Sequence, residues 1–487
     1  MTSPNPKSVQ EYLDETPFWP DGTPVSDVPM APMQWRIWWL AAAGKFFEGM
    51  VVFMTGVAMP LINWEFHLTE LQRGMVGAAV LFGILIGASV LGGLADHFGR
   101  KLMFIAEMAL FTFFLILVAL SPSVLWLVIF LFGLGLALGC DYPTAHMIIS
   151  ESIPTNFRGR LVLSAFGFQA VGALAGTAVG FIILKTNVSA SDWRWMYAFA
   201  IIPALIVLAG RFFIPQSVHW LVEKGRVDEA EKEMLKLLCR NPAYPRKIVL
   251  NRKLELQTDE SEKVPSLMKL FKKKNRRATI LASVPWFLQD LGTYGIGIFT
   301  PTILAATIGL AHGSPRNLTD LIYQDMLSAK GAAAIDALLI FGIIAAIYFA
   351  DRFGRIQLQI AGFIGCAVGL ALAAYSTHFD GSMKMILIFS GFMIFNFMTN
   401  MGPNAMTYLL AGEVFPTKIR GVGAGFAASF AKMGAVLTAF LFPILLKDIG
   451  TQTLLLLLVG ASLIGAWVTW VFRIETNGIS MEKLGTE

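Results

Sequence analysis

Five ionisable residues stand inside long apolar stretches of this 487-residue sequence: Lys45, Glu48, Asp141, Asp290 and Lys432. Charged side chains are costly in hydrocarbon, so by default such groups mark a path or site for an ion or solute. Gln169 and Asn404 add amides in comparable surroundings. A carboxylate there can take up and release a proton, and a lysine can hold an anion. The five charges sum to −1 and repel an anion, whereas protonating Glu48 and Asp141 brings the sum to +1. Proton uptake and anion binding then favour each other by electrostatic linkage. The competing reading is structural pairing. It is stronger for Lys45 and Glu48, three residues apart on one helix, than for Asp141, Asp290 and Lys432, which have no partner on their own helices.

The elements that must position these groups are membrane helices. Apolar residues make up 55% of the chain and charged ones 15%, against about 25% charged in an ordinary globular protein. Crossing ~30 Å of hydrocarbon takes about 20 apolar residues. Twelve stretches qualify: 38–62, 75–95, 102–120, 124–149, 161–184, 195–214, 278–308, 331–350, 357–376, 384–410, 422–446 and 452–473. The polar, basic segment 211–277 separates six spans from six. The expected fold is an all-α membrane protein of two pseudo-symmetric six-helix bundles. Its parts are a tail (1–34), an N-terminal bundle (35–214), a linker (215–277), a C-terminal bundle (278–473) and a second tail (474–487).

Basic residues set the expected orientation. Arg100 and Lys101, Arg158 and Arg160, the linker, Arg352 and Arg355, and Lys418 and Arg420 follow the even-numbered spans. Those loops and both termini are therefore expected in the cytoplasm, with the protein multi-pass in the plasma membrane, or in the inner membrane of a bacterium. The first thirty residues, polar and Pro-rich, read as a disordered leader rather than a cleaved signal. A net charge of +5 is explained by the basic loops and needs no nucleic-acid partner. Cys140, Cys239 and Cys366 are too scattered for a disulfide framework or a metal site, and the two in apolar spans read as packing residues.

The halves repeat. Asp96-His-Phe-Gly-Arg100 follows the second span, and Asp351-Arg-Phe-Gly-Arg355 follows the eighth, 255 residues later. Glu151-Ser-Ile-Pro154-Thr-Asn-Phe-Arg158 ends the fourth, and Glu413-Val-Phe-Pro416-Thr-Lys-Ile-Arg420 ends the tenth, 262 residues later. With Gly92-Gly93-Leu94-Ala95 before the first motif, the chain over about 35–475 resembles the major facilitator superfamily. That resemblance implies alternating access, with Asp96, Arg100, Glu151, Arg158, Asp351, Arg355, Glu413 and Arg420 as gates and braces. Pro215-Gln216-Ser217-Val218-His219-Trp220-Leu221 resembles the sugar-porter-like branch, with Gln216 and His219 where that branch usually has Glu and Arg.

The intramembrane groups carry a second resemblance. They lie about seven to twelve residues from one end of their helices, ~10–18 Å at 1.5 Å per residue, so they form one layer near mid-membrane. Gly139-Cys140-Asp141-Tyr142-Pro143, Trp286-Phe287-Leu288-Gln289-Asp290, Tyr294-Gly295, Asn400-Met401-Gly402-Pro403-Asn404 and Ser429-Phe430-Ala431-Lys432 resemble segments of the phosphate:proton symporters. The resemblance implies that Asp141 handles protons while Tyr142, Gln169, Trp286, Asp290, Tyr294, Asn404 and Lys432 surround the substrate. Helix one departs from that family: Phe46-Phe47-Glu48-Gly49-Met50-Val51 retains one carboxylate, Glu48, as a second proton-coupling candidate, and Lys45 is an extra cation. His146, one turn past Asp141, is similar to bacterial relatives grouped with sugar-type and synaptic-vesicle-2-like transporters.

The leading expectation is a monomeric, proton-coupled importer of a small anion, inorganic phosphate first, with no cofactor. A symporter of an organic acid or sugar-like solute is the alternative, since Trp286 and Tyr294 could stack on an organic ring. A solute sensor signalling through the linker lacks a large extra domain. An enzyme lacks a metal cluster, nucleophile triad or cofactor loop.

Overall fold

The computed structural model describes residues 7–16, 30–91, 94–186, 189–240, 245, 247–250, 267–312, 315–416 and 419–476. Among the candidate residues, the side chains of Asp96, Tyr142, Asp351 and Arg420 lie outside the description, as do the remainder of both tails and most of the linker after Arg240. Among the described residues, ten helices are long and apolar enough to cross a membrane. One of them, Arg420–Val471, is two helices turned at Gly450, whose φ of 76° suits a residue without a Cβ. The 40-residue helix Lys273–His312, interrupted by Gln289, Asp290, Thr293 and Tyr294, completes twelve.

In order these are helix one (Pro32–Phe66), two (Glu70–Ile86, continuing as a π turn to Leu91), three (Arg100–Ala119), four (Val124–Ser152), five (Thr155–Thr186) and six (Asp192–Phe212). Helix seven is Lys273–His312, eight is Leu318–Phe353, nine is Arg355–Tyr375, and ten is Gly381–Met401 followed by Pro403–Glu413. Eleven and twelve flank Gly450. Several helices outrun their apolar stretches, because the helical ladder continues into polar turns beyond the hydrocarbon. Helix eight, for example, begins at Leu318 under an Asn317 cap, not at 331.

Close backbone approach sets the site's frame. Helices one and five cross where Gly49 meets the Gln169 carbonyl and Gly172 meets that of Phe46, and a Cβ at either position would collide. Without a hydrophobic drive between helices in lipid, such small-residue contacts hold them together. Helices seven and eleven meet likewise, Gly434 against the Phe287 carbonyl.

The repeated motifs form matched braces on the face that carries the basic loops. Arg100 pairs with Glu151 at 3.4 Å, and Ser217 donates to the same carboxylate at 2.5 Å. In the second half Arg355 pairs with Glu413 at 3.4 Å, and Thr476 donates at 2.5 Å. Gln216, in place of an acid, accepts from the backbone N–H of Lys101 at 3.0 Å. Burial holds the nearby His219 imidazole below its ordinary range, against the opposing pull of Glu151.

Arg158 of the first motif donates to Gln10 at 3.1 Å. One expectation changes here: residues 7–16 are ordered, contrary to the expected disordered leader. Val9–Asp14 is a helix with a Ser8–Glu11 capping box. Val9, Tyr12 and Leu13 are buried in one apolar cluster with residues of the short helices Val218–Glu223 and Val227–Leu238, and Asp14 accepts from the Thr155 backbone N–H at 2.8 Å. Apolar residues spaced three and four apart gave this segment a face to bury, which its polar average concealed.

Candidate functional site: a charged cavity between the halves

Glu48 of helix one is the hub. Lys45, one turn earlier, reaches its Oε2 at 2.5 Å. Its Oε1 accepts from the Tyr294 hydroxyl at 2.9 Å and meets Lys432 Nζ at 3.3 Å, so helices seven and eleven of the other half close on it. Gln169 donates to the Tyr294 hydroxyl at 2.9 Å, and Lys432 donates to it at 2.6 Å. Asp290 lies 3.4 Å from Lys432. Two lysines and two carboxylates thus form a buried network with no net formal charge, bridged by one phenol.

Lys45, Gln169, Trp286, Asp290, Tyr294, Asn404 and Lys432 line one cavity, with Ile84, Ala88, Phe166 and Ala428. Seven of the residues singled out from the sequence therefore meet in one place. Asn404 donates to Asn400 at 2.6 Å, which orients its amide. The enclosed space is about 20 Å³, room for about one water and far less than a metabolite needs.

Contacts between the halves stand on both sides of the cavity. Toward the basic face, the Ser89 and Ser429 hydroxyls meet at 2.8 Å, His146 Nδ1 meets the Tyr408 hydroxyl at 3.0 Å, and Tyr408 stacks on Phe166 at 4.5 Å between centroids. His146 thus stands at this closure, outside the cavity lining. Toward the opposite face, Gly56 packs on the Ile298 carbonyl and Gly297 against the Phe53 ring.

Asp141 is arranged differently from expectation. Far from being a lone carboxylate, it pairs with Arg211 of helix six at 2.6 Å and packs against Gly44, beside Lys45. Arg211 is fully buried, donates to the Phe104 carbonyl at 2.6 Å and lies over the Phe104 ring. Glu107 of helix three is buried close by and accepts from Thr144 at 2.7 Å. The five-charge sum of −1 therefore omitted Arg211 and Glu107. Glu107 and Asp336 are acids flanked by apolar residues, a signal open to the same reasoning that found Asp141. Arg211 falls where the sixth span, 195–214, overlaps the polar segment 211–277, and its place at the end of the span hid it as an intramembrane charge.

The family description that matches residues 37–487 is "Sugar (and other) transporter". The chain belongs to that family. Its relatives include the putative metabolite transport protein YaaU of Escherichia coli, 27% identical over 94% of this chain and 96% of that one. The niacin transporter NiaP of Acinetobacter baylyi is 25% identical over 95% of this chain and 98% of that one. An inward-open structure titled as the xylose transporter XylE of E. coli superposes with a TM-score of 0.74 at 22% identity, covering 93% of this chain and 99% of that one. At that identity the likeness carries the fold, which is that of the major facilitator superfamily. This member of the sugar-transporter family is thus a multi-pass membrane protein, and the phosphate-symporter branch implied by the helix-four and helix-seven segments is not supported.

Proposed function

We propose that this sugar-transporter family member is a proton-coupled, alternating-access carrier of a small organic solute bearing an acidic group. One observation carries the reading: Glu48 occupies the place between Lys45 and Lys432 where a solute anion would sit. When Glu48 takes a proton, its charge leaves both lysines and the local sum rises from zero to +1. A carboxylate of the solute then replaces the internal one, and Tyr294 and Gln169 turn their polar atoms to it. When the solute leaves, Glu48 must ionise again to compensate the lysines. Proton and solute therefore travel together.

The aromatic side chains Trp286, Phe166 and Tyr408 around the cavity favour an organic body over inorganic phosphate, as do relatives named for niacin and metabolite transport. Asp141, held by Arg211 against the backbone beside Lys45, is the second proton group. A neutral, sugar-like solute is the competing reading. Gln169 and Asn404 in the cavity wall, together with the family's description, support it.

The deciding experiment is uptake into liposomes under an imposed acid-outside gradient, with organic acids, sugars and phosphate compared. Acid-dependent accumulation of an organic acid supports the proposal. Accumulation of sugars alone replaces it with the competing reading, and accumulation of phosphate alone refutes both.

A further inference from the structure

Away from the cavity, a buried carboxylate joins the two halves. Asp336 of helix eight is 2% exposed and accepts on its two oxygens from opposite directions. Asn396 of helix ten, in the same half, donates to Oδ1 at 3.2 Å. Thr177 of helix five, in the other half, donates to Oδ2 at 2.8 Å. Thr177 lies two turns beyond Gln169 toward the face opposite the basic loops, and Asp336 stands about two turns beyond Ile343, which packs against Gly167. The contact therefore closes the chain on that face, at the depth where Gly297 meets Phe53.

We propose that Asp336 and Thr177 form the polar latch of the gate opposite the basic face. Its parts are matched for reversible use. Asn396 keeps Asp336 oriented whether or not the halves touch, so the carboxylate retains one donor in the open state. Thr177 has a second acceptor on its own helix, the Ala173 carbonyl at 3.0 Å, to which its hydroxyl returns when the halves part. Neither group is stranded by opening, yet a hydrogen bond between the halves forms on closing. Asp336 acts on access to the cavity, making it a positioning residue.

The chemistry distinguishes the substitutions. Asn396 and Thr177 donate to different oxygens of Asp336, and Asn at 336 puts an NH2 group, a donor, in the place of one of them, so it cannot accept both bonds in this geometry. Val at 177 keeps the shape and removes the donor, whereas Ser keeps it. Met59 reports the gate: it is 4% exposed and lines the outer cleft between Arg73, Phe299 and Leu446.

The test is maleimide labelling of Met59→Cys in a Cys239→Ser background, with full-length protein in lipid nanodiscs. Thr177→Val and Asp336→Asn are each expected to raise the labelling rate by roughly tenfold, the shift that about 1.4 kcal/mol of lost hydrogen bonding produces. Thr177→Ser should label at the parental rate, and the buried Cys140 and Cys366 should stay unlabelled throughout. Parental labelling in both Thr177→Val and Asp336→Asn overturns the latch, as does a general rise that includes Cys140 and Cys366. The inference presupposes alternating access but no particular solute. Because labelling needs no solute or gradient, its failure leaves the proton-coupled reading standing, and failure of uptake leaves the latch standing.

Discussion

Asp141 and Arg211 meet at 2.6 Å across helices four and six, both buried, with the Arg211 guanidinium laid over the Phe104 ring. Neutralising one partner removes the charge in direct contact with the other. Asp141→Asn is therefore expected to destabilise the protein by about 3–5 kcal/mol, less whatever the Phe104 and Leu40 carbonyls still hold of Arg211. Protein that folds should still perform counterflow, because Asn keeps the shape of a protonated Asp, but should lose accumulation driven by external acid. Paired uptake and counterflow assays in liposomes check this. Full acid-driven accumulation would remove Asp141 from coupling.

Glu48→Gln deletes the internal anion while keeping two polar atoms in its place. The local formal charge rises from zero to +1 without any proton taken up at position 48, so an acidic solute should bind several-fold more tightly at neutral pH and lose most of its dependence on proton concentration. Isothermal titration across a pH series reads both effects. Unchanged affinity and an unchanged pH profile would show that Glu48 does not compete with the solute.

Lys432 gathers Asp290, Tyr294 and Glu48 around one ammonium. Lys432→Ala should abolish solute binding, and Lys432→Arg should retain part of it, since charge is kept and geometry altered. Asp290→Asn should trap or lose the solute, because Lys432 then has one fewer counter-charge to return to. Normal binding and turnover by Lys432→Ala would defeat the anion-site reading.

Asp325 of helix eight is buried, and neither of its oxygens accepts a hydrogen bond from a described residue. An unsatisfied buried polar group costs roughly 1–3 kcal/mol. Asp325→Leu is accordingly expected to raise thermal stability in detergent without loss of uptake. A fall in stability, or loss of transport with the fold intact, would show that Asp325 has work in the cycle.

Orientation is checked through Cys239, which is exposed at the end of the short helix Val227–Leu238. With the basic loops in the cytoplasm, an impermeant thiol reagent added to intact cells should miss it and should react after permeabilisation. Labelling in intact cells would invert the topology.

The helical class of this protein, and the polar and charged residues that line its cavity, are legible along the chain. Apolar runs of bilayer length announce the spans, the Asp96 and Asp351 motifs announce the repeat, and charges at Lys45, Glu48, Asp290 and Lys432 stand out because hydrocarbon penalises them. These are local signals, each readable within a few turns of one helix. Which charge meets which is a property of packing. Arg211 stands where the sixth span runs into the polar segment 211–277, yet it turns inward at the end of helix six to hold Asp141, and this changes the electrostatics of the layer. Asp336 and Thr177 lie 159 residues apart on helices whose sequences give no sign of each other. Their contact exists because small residues such as Gly49 and Gly172 let helices one and five approach, and helix eight then packs on helix five. Partners across helices depend on rotation and depth, which each helix takes from its neighbours, so only the assembled bundle decides them.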